Sequence, residues 1–404
     1  MVLVEKTLID KSDKCFEKLD KLLFLSKNLY NSTLYEVRQH YFQTGQCLSY
    51  EEVNKRFSDV NHQDYKALPS EVAKMTQMLV EKNFKYFLSL SDRNKNEQYG
   101  AKVGMPKYLD KEKGKQTLQY MGQALKRSEN GYVGLSGTDI WINAKKDAKF
   151  VRIIPKNEYI NIEIEYEKEC NAREKAIVAS IDLGINNLGT VVMANQRALI
   201  INGKPLKSIN QYYNKELIKE KSYLSKFKTD EGQERKTSNK IQRLHCRRNN
   251  KITDYMHKAS RMIVNHLVSN GVSVFIIGYS KEWKQDINMN NADDQMFAHV
   301  PFETFVDMLT HKCLTEGINV QLEEESYTSK CSFFDNEDIK DHLEYQGKRV
   351  KRGLFQTSSG MLINADVNGA LNILKKYCQK VAWNDTYVLD YVEACSEPIV
   401  LTIK

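Results

Sequence analysis

Hydrophobic and polar positions along the chain form three successive patterns. From about residue 12 to residue 95, apolar side chains recur at helical spacing with few Pro or Gly, which predicts helices. Residues 100–167 contain several glycines between short apolar runs, and Tyr159–Tyr166 alternates with a period of two. This second pattern predicts a small antiparallel β unit, which we expect the N-terminal strand Val2–Leu8 to join.

The third pattern predicts an α/β domain. Three consecutive strands are followed by a long polar helical stretch, a strand, a helix, a strand, a polar insertion and a final helix. Their predicted bounds are 177–183, 190–194, 198–201, 207–270, 272–279, 302–316, 318–323 and 364–376. This order of elements is that of an RNase H-like fold. With 404 residues, the chain is predicted to be a multidomain α/β protein of two or three units.

Composition excludes several classes of protein. The longest apolar run, Val274–Ile277, is far too short for a membrane span, which needs about 20 residues. The first residues lack the apolar core of a secretory signal, so a cytoplasmic protein with no membrane partner is expected. Eight cysteines occur and none is spaced as CxxC, which argues against a zinc ribbon and a compact disulfide framework.

The positive charge is concentrated in one segment. Between Arg235 and Arg261 there are nine Lys or Arg and one acid, Asp254, so this segment carries the whole formal excess of +8. A solvated helix face is the ordinary explanation for such a run, but the scarcity of acids favours contact with nucleic-acid phosphates. The candidate nucleic-acid-binding residues are Arg235, Lys236, Lys240, Arg243, Arg247, Arg248 and Lys251.

Two aspartates lie where a sheet edge and a helix start could bring them together. Asp182 ends the first strand of the third region, next to Gly184, and Asp366 follows the potential helix cap Asn364. Either residue alone could be a turn, a cap or a partner of the helix dipole. Together they suit a phosphodiesterase that uses Mg²⁺ or Mn²⁺, because these ions prefer carboxylate oxygens.

Such a site usually requires a third acid. The strand expected to supply it ends instead in Gly278. Because adjacent strands lie about 4.8 Å apart, an acid on the next strand could reach across. Alternation from Val320 and Leu322 makes Glu324 the preferred candidate, although clustered acids there could also be a solvated turn. The alternatives left open are Glu323, Glu325 and Glu282.

Several motifs together resemble TnpB, the OrfB-type nuclease of insertion sequences and the ancestor of type V CRISPR effectors. The resemblance is specific over about residues 177–376. The motifs that carry it are Ser180-Ile-Asp-Leu-Gly-Ile-Asn186, Trp283-Lys-Gln285, Glu324-Glu-Ser-Tyr-Thr-Ser-Lys-Cys-Ser332, Lys351-Arg-Gly-Leu-Phe355 and Ile363-Asn-Ala-Asp-Val-Asn-Gly369.

The resemblance implies a domain organisation. It implies a small β-barrel wedge domain (1–10 and 100–172), a helical recognition lobe (11–99), a RuvC-like nuclease domain (173–376) and a C-terminal tail (377–404). Asp182 and Asp366 match the first and third RuvC acids, which leaves Glu324 to act in place of Gly278. The zinc-binding CxxC pair of the family is reduced to Cys331, so a metal-free insertion is expected over about 331–362.

The resemblance also implies a function. It predicts an endonuclease that binds a guide RNA from the transposon end and cuts complementary DNA beside a short flanking motif by two-metal phosphodiester hydrolysis. The expected partners are that RNA and double-stranded and single-stranded target DNA. Three alternatives remain open at this point: an RNA-guided repressor that no longer cuts, a compact type V CRISPR effector, and a transposase or junction resolvase that acts without RNA.

Overall fold

The protein consists of two compact units, residues 1–169 and 170–404. The structure is a computed structural model. It describes residues 2–96, 103–128, 130–144, 148–156, 158–169, 173, 177–227, 237–280, 300–351, 353–381, 391–395 and 397–403.

The first unit contains the predicted helices and the predicted β unit. A capping box starts one short helix, because Ser49 and Glu52 satisfy each other's backbone N–H groups. Its elements are β1 (Val2–Asp10), α1 (Phe16–Thr44), α2 (Tyr50–Asp59), α3 (Gln63–Lys66), α4 (Ser70–Asn96), β2 (Leu118–Met121), β3 (Leu125–Arg127), β4 (Tyr132–Leu135), β5 (Trp141–Asn143), β6 (Ala148–Pro155) and β7 (Tyr159–Glu167).

The strands of this unit form two antiparallel sheets, ordered β1-β7-β6-β2 and β3-β4-β5. The N-terminal strand joins the first sheet as predicted, with Val2 opposite Glu167 and Asp10 opposite Tyr159. No pairing between the two sheets closes them into a barrel within the described residues. The wedge barrel therefore stays a prediction, as do the domain bounds predicted within this unit.

The second unit has the predicted order of elements. The long polar stretch forms two helices instead of one, and the last long helix extends four residues beyond its predicted end. Its elements are β8 (Val178–Leu183), β9 (Asn187–Met193), β10 (Leu199–Asn202), α5 (Lys204–Leu224), α6 (Asn239–Ser269), β11 (Val274–Tyr279), α7 (Phe302–Thr315), β12 (Asn319–Glu324), β13 (Lys348–Lys351), β14 (Leu354–Gln356), β15 (Leu362–Asn364), α8 (Ala365–Lys380), α9 (Val392–Cys395) and β16 (Ile399–Leu401).

One six-stranded sheet, ordered β12-β11-β8-β9-β10-β16, organises this unit. Strands β8, β11 and β12 run parallel, whereas β9 is antiparallel to both of its neighbours. Helices α6 and α7 pack on the face that carries Phe275 and Ile277. Helix α8 packs on the opposite face, against Val178 and Ile276. The sheet is thus a central layer covered by helices on both sides.

The C-terminal segment is more than a tail. Residues 377–380 complete α8, and β16 adds a parallel strand to β10 with Ile200 opposite Val400. The predicted boundary at residue 377 therefore cuts through a helix that belongs to the second unit.

The insertion between β12 and α8 is held by hydrogen bonds. Buried Glu337 accepts the N–H groups of Ser332 at 2.7 Å and Gln346 at 3.0 Å. The insertion contacts α8 because Asn368 and Asn372 donate to the Cys331 carbonyl at 2.8 Å and 2.7 Å. The expectation that it functions without zinc stays a prediction.

Candidate active site

The register of the parallel strands brings three sequence-distant positions to one sheet edge. Ile181 pairs with Ile277, and Gly278 pairs with Glu323. Asp182 follows Ile181 and therefore continues the row that Gly278 and Glu323 define. Residues in register across parallel strands point to the same face. This face is the one that α8 covers, at the carboxyl ends of the strands, where ligands bind in open α/β sheets.

Helix α8 lies directly against the Asp182 carboxylate. The Ser180 hydroxyl donates to the Ala370 carbonyl at 2.7 Å, which fixes the helix on β8. A Cβ at Gly369 would lie only 2.7 Å from Oδ2 of Asp182, so any other residue there would displace this carboxylate. Asp366 lies in the first turn of the same helix, which begins where Asn364 accepts the N–H groups of Asp366 and Val367. The two predicted aspartates therefore converge.

Glu325, rather than Glu324, occupies the space above Gly278. A Cβ at Gly278 would lie 3.4 Å from Oε2 of Glu325 and 2.5 Å from Cδ1 of Ile373. A Cβ at position 278 would therefore displace Ile373 and would touch the Glu325 carboxylate at van der Waals distance. The glycine leaves room for the acid of the next strand, as the sequence predicts, but that acid is Glu325.

Glu324 is directed elsewhere. Its side chain is 56% exposed and pairs with Lys376, with Oε2 and Nζ 2.8 Å apart. The prediction took Val320 as the inward reference, yet Val320 packs on the α6–α7 side of the sheet and Leu322 is exposed. The register shows that Glu323 lies in the same row as Asp182 and Gly278. The alternate residues of this segment that face α8 are therefore Glu323 and Glu325.

Glu323 shares this parity but has a different environment. Its side chain is buried and pairs with Lys380 of α8. This ion pair holds the end of α8 on the edge strand. Glu282, the remaining alternative, lies outside the described residues, as does the Trp283-Lys-Gln285 motif.

The electrostatics of the site centre on Asp182. Burial raises the pKa of Asp182 well above its ordinary value, and repulsion from Glu325 and Asp366 raises that pKa further. Arg349 acts in the opposite direction but does not cancel this effect. The Asp182 carboxylate is thus partly desolvated and close enough to two other acids to be repelled by both, an arrangement that a bound cation would stabilise.

Two residues that the sequence analysis missed hold Asp366. Asn187 donates from Nδ2 to Oδ2 of Asp366 at 2.7 Å, and Nη2 of Arg349 lies 3.6 Å from Oδ1. Asn187 begins β9, immediately after the quoted motif around Asp182, so its proximity could have been inferred. Arg349 lies on β13 of the insertion, and no local sequence signal links it to the site.

The basic segment is only partly available for a ligand. Lys240, Lys258 and Arg261 pair with Glu220, Asp254 and Glu316 at 2.7 Å, 2.8 Å and 3.2 Å. Arg235 and Lys236 lie outside the described residues.

The other predicted residues of this segment lie on α6. Arg243, Arg247 and Lys251 are exposed, and Arg248 is partly buried. The predicted binding residues that the structure describes therefore lie in the N-terminal half of this helix.

Comparisons with known proteins show which families the chain resembles. Residues 161–284 match the OrfB_IS605 family, described as a probable transposase, and residues 302–373 match the Cas12f1-like TNB domain. The TnpB-like protein ORF457 of Acidianus two-tailed virus is 27% identical over 204 residues. That match covers 49% of this chain and 41% of the viral protein.

A solved structure shares the fold. It is the cryo-EM structure of the Cas12f1–sgRNA–target DNA complex, matched with a TM-score of 0.54 and 14% identity over 88% of this chain and 82% of that chain. Together, the matches confirm the resemblance that the motifs predict and support a TnpB-type protein. Among the described residues, no helix is long and apolar enough to cross a membrane.

Proposed function

We propose that this protein is an RNA-guided DNA endonuclease of an insertion sequence, with a RuvC-like catalytic domain in its second unit. The convergence of Asp182, Glu325 and Asp366 on one sheet edge is the observation that carries the proposal. The matched families support it, and the Cas12f1 structure is a complex with a guide RNA and target DNA. The partners proposed for this chain are a transposon-end guide RNA and double-stranded and single-stranded target DNA.

The donor set of the site suits Mg²⁺ or Mn²⁺. No three His, Cys, Asp or Glu side chains of the described residues are grouped closely enough to hold one ion together. Asp182, however, interacts with both Glu325 and Asp366. It could therefore bind one ion together with Glu325 and a second ion together with Asp366. Mg²⁺ is commonly held by one or two carboxylates plus water and substrate phosphate, so two acids per ion suffice.

In this proposal, each residue around the pocket has a distinct role. Asp182 would bind both ions, Glu325 would bind one of them, and Asp366 would bind the other. Asn187 is a positioning residue that fixes the Asp366 carboxylate. Arg349 would donate to the phosphate that approaches Asp366, because a guanidinium matches phosphate geometry. Divalent ions bound there would supply an activated water and charge stabilisation for phosphodiester hydrolysis.

A guided-cleavage assay tests the proposed function. The chain is expressed together with the DNA that flanks its gene, and the RNA that copurifies is sequenced. We expect an enriched RNA from the transposon end, and we expect this complex to cut matching DNA in Mg²⁺ when a randomised flanking sequence includes the right motif. EDTA should stop the cleavage.

The other functional classes give different results in this assay. Guided binding without cleavage would contradict the nuclease and indicate a repressor, whereas cleavage with no enriched RNA would indicate a transposase or resolvase. Enrichment of RNA from a repeat array would contradict the insertion-sequence origin and favour a compact CRISPR effector.

A further inference from the structure

A cavity of about 370 Å³ lies between α5 and α6, away from the carboxylates. Its lining includes two tyrosines, Tyr212 and Tyr213, and three cations, Arg247, Arg248 and Lys251. This volume is within the range of small-molecule sites, which begins at about 300 Å³. Aromatic rings beside cations are the combination that binds unpaired nucleotides, because rings stack on bases and cations contact phosphates.

The floor of the cavity is held in place by hydrogen bonds. Arg248 donates from Nε to Oδ1 of buried Asn210 at 2.9 Å, and its guanidinium lies 5.6 Å from the ring centre of Tyr213. The Tyr213 hydroxyl lies 2.8 Å from Nδ1 of His245. A fixed floor lowers the entropy that ligand binding would otherwise cost.

The rim of the cavity is accessible. Tyr212 is 62% exposed, and Arg247 and Lys251 lie one helical turn apart on the exposed face of α6. Neither of these cations forms an ion pair with another described residue, in contrast to Lys258 and Arg261 of the same helix. Two cations that have no acidic partner in the described part of the chain therefore flank an exposed aromatic ring, which gives the charge complementarity that a phosphate requires.

The helix that lines one side of the cavity, α5, begins next to the candidate active site. The Gly203 N–H donates to the Asn186 carbonyl at 2.7 Å, and the next residue, Asn187, holds Asp366. From Lys204 to Tyr212 the helix rises about 12 Å. A single strand whose phosphate enters the carboxylate pocket would thus pass close to this cavity within a few nucleotides.

We propose that the cavity binds one unpaired nucleotide of the DNA strand that is to be cut, with its base on Tyr212 and its phosphate on Arg247 and Lys251. This inference rests on the proposed nuclease function. It assigns the cavity a positioning role, because a base held there would fix the register of the strand relative to Asp182. A duplex cannot occupy the cavity in this way, since its bases are stacked on each other.

Binding of a labelled single-stranded DNA of about 12 nucleotides to the full chain, in EDTA, tests the proposal. Loss of one base–ring stack should weaken binding by about 5- to 150-fold in Tyr212→Ala. Tyr212→Phe, which keeps the ring, should bind within about twofold of the unchanged protein. Tyr223→Ala is the matched control, since Tyr223 is a 55% exposed tyrosine of the same helix outside the cavity.

Three results would overturn the proposal: equal losses in Tyr212→Ala and Tyr223→Ala, an equal loss for duplex DNA of the same sequence, or a loss confined to RNA of that sequence. The last would assign the cavity to the guide. The exposed position of Tyr212 makes a folding defect easy to exclude by comparing melting temperatures. The assay measures binding without cleavage. The cavity proposal can therefore fail here while the nuclease proposal stands, and cleavage can fail in the guided assay while binding to the cavity is observed here.

Discussion

Asp182→Asn should lower the rate of guided DNA cleavage by about a thousandfold or more, while guided DNA binding stays within about twofold of the unchanged protein. The reason is that Asp182 interacts with both Glu325 and Asp366, so its loss would affect both proposed ion positions. Loss of metal-ion stabilisation costs several kcal/mol, and each 1.4 kcal/mol is about tenfold in rate. Cleavage rates and DNA affinity would be measured on the same preparation.

The fold provides a control for this variant. Because the pKa of Asp182 is raised in the folded state, that state holds a proton that the unfolded chain releases near pH 4. The stability of the metal-free protein therefore falls as pH rises above 4 and through the raised pKa of Asp182. Asparagine does not ionise, so the variant does not lose this stability as the pH rises. At pH 8 in EDTA its melting temperature should therefore be no lower than that of the unchanged protein. A variant that keeps cleaving at a normal rate would refute the role of Asp182.

Glu325→Gln should reduce cleavage by about a hundredfold or more, whereas Glu324→Gln should change it by no more than about twofold. The two substitutions are chemically identical and concern adjacent residues. They differ in that Glu325 lies over Gly278 and interacts with Asp182, while Glu324 forms an exposed pair with Lys376. Initial rates of guided cleavage across a Mg²⁺ titration would separate weakened ion binding from a slower chemical step.

The reverse result, a large loss in Glu324→Gln with Glu325→Gln unaffected, would restore the assignment made from sequence alternation. If neither variant loses activity, the site needs no third carboxylate from this segment.

The sequence located the two aspartates because each has a strong local signal. Asp182 ends an apolar strand, and Asp366 follows a helix cap, so their elements could be predicted before their proximity was known. The third acid has no such signal. Both faces of this sheet are covered by apolar layers, so Val320 and Ile276 are each packed against helices although they lie on opposite faces. Only the register of the strands with Asp182 shows which alternate residues face α8.

Long-range features escaped prediction for a related reason. Arg349 approaches Asp366 only after the insertion folds against α8, and β16 joins the sheet only by pairing with a strand about 200 residues earlier. The charge of the segment 235–261 also overstated how many of its cations are available to bind a ligand. Acids from α5 and from the end of α7 neutralise two of its cations, Lys240 and Arg261, and those acids are distant in sequence.

The most direct test of the account is to locate Mn²⁺ by anomalous diffraction in crystals of the full chain grown with that ion. We expect anomalous density beside the Asp182 carboxylate, with Glu325 or Asp366 as a second protein ligand. A fully formed sheet edge with no manganese at Asp182, or with manganese bound only elsewhere, would contradict the central claim that these acids form a catalytic metal site.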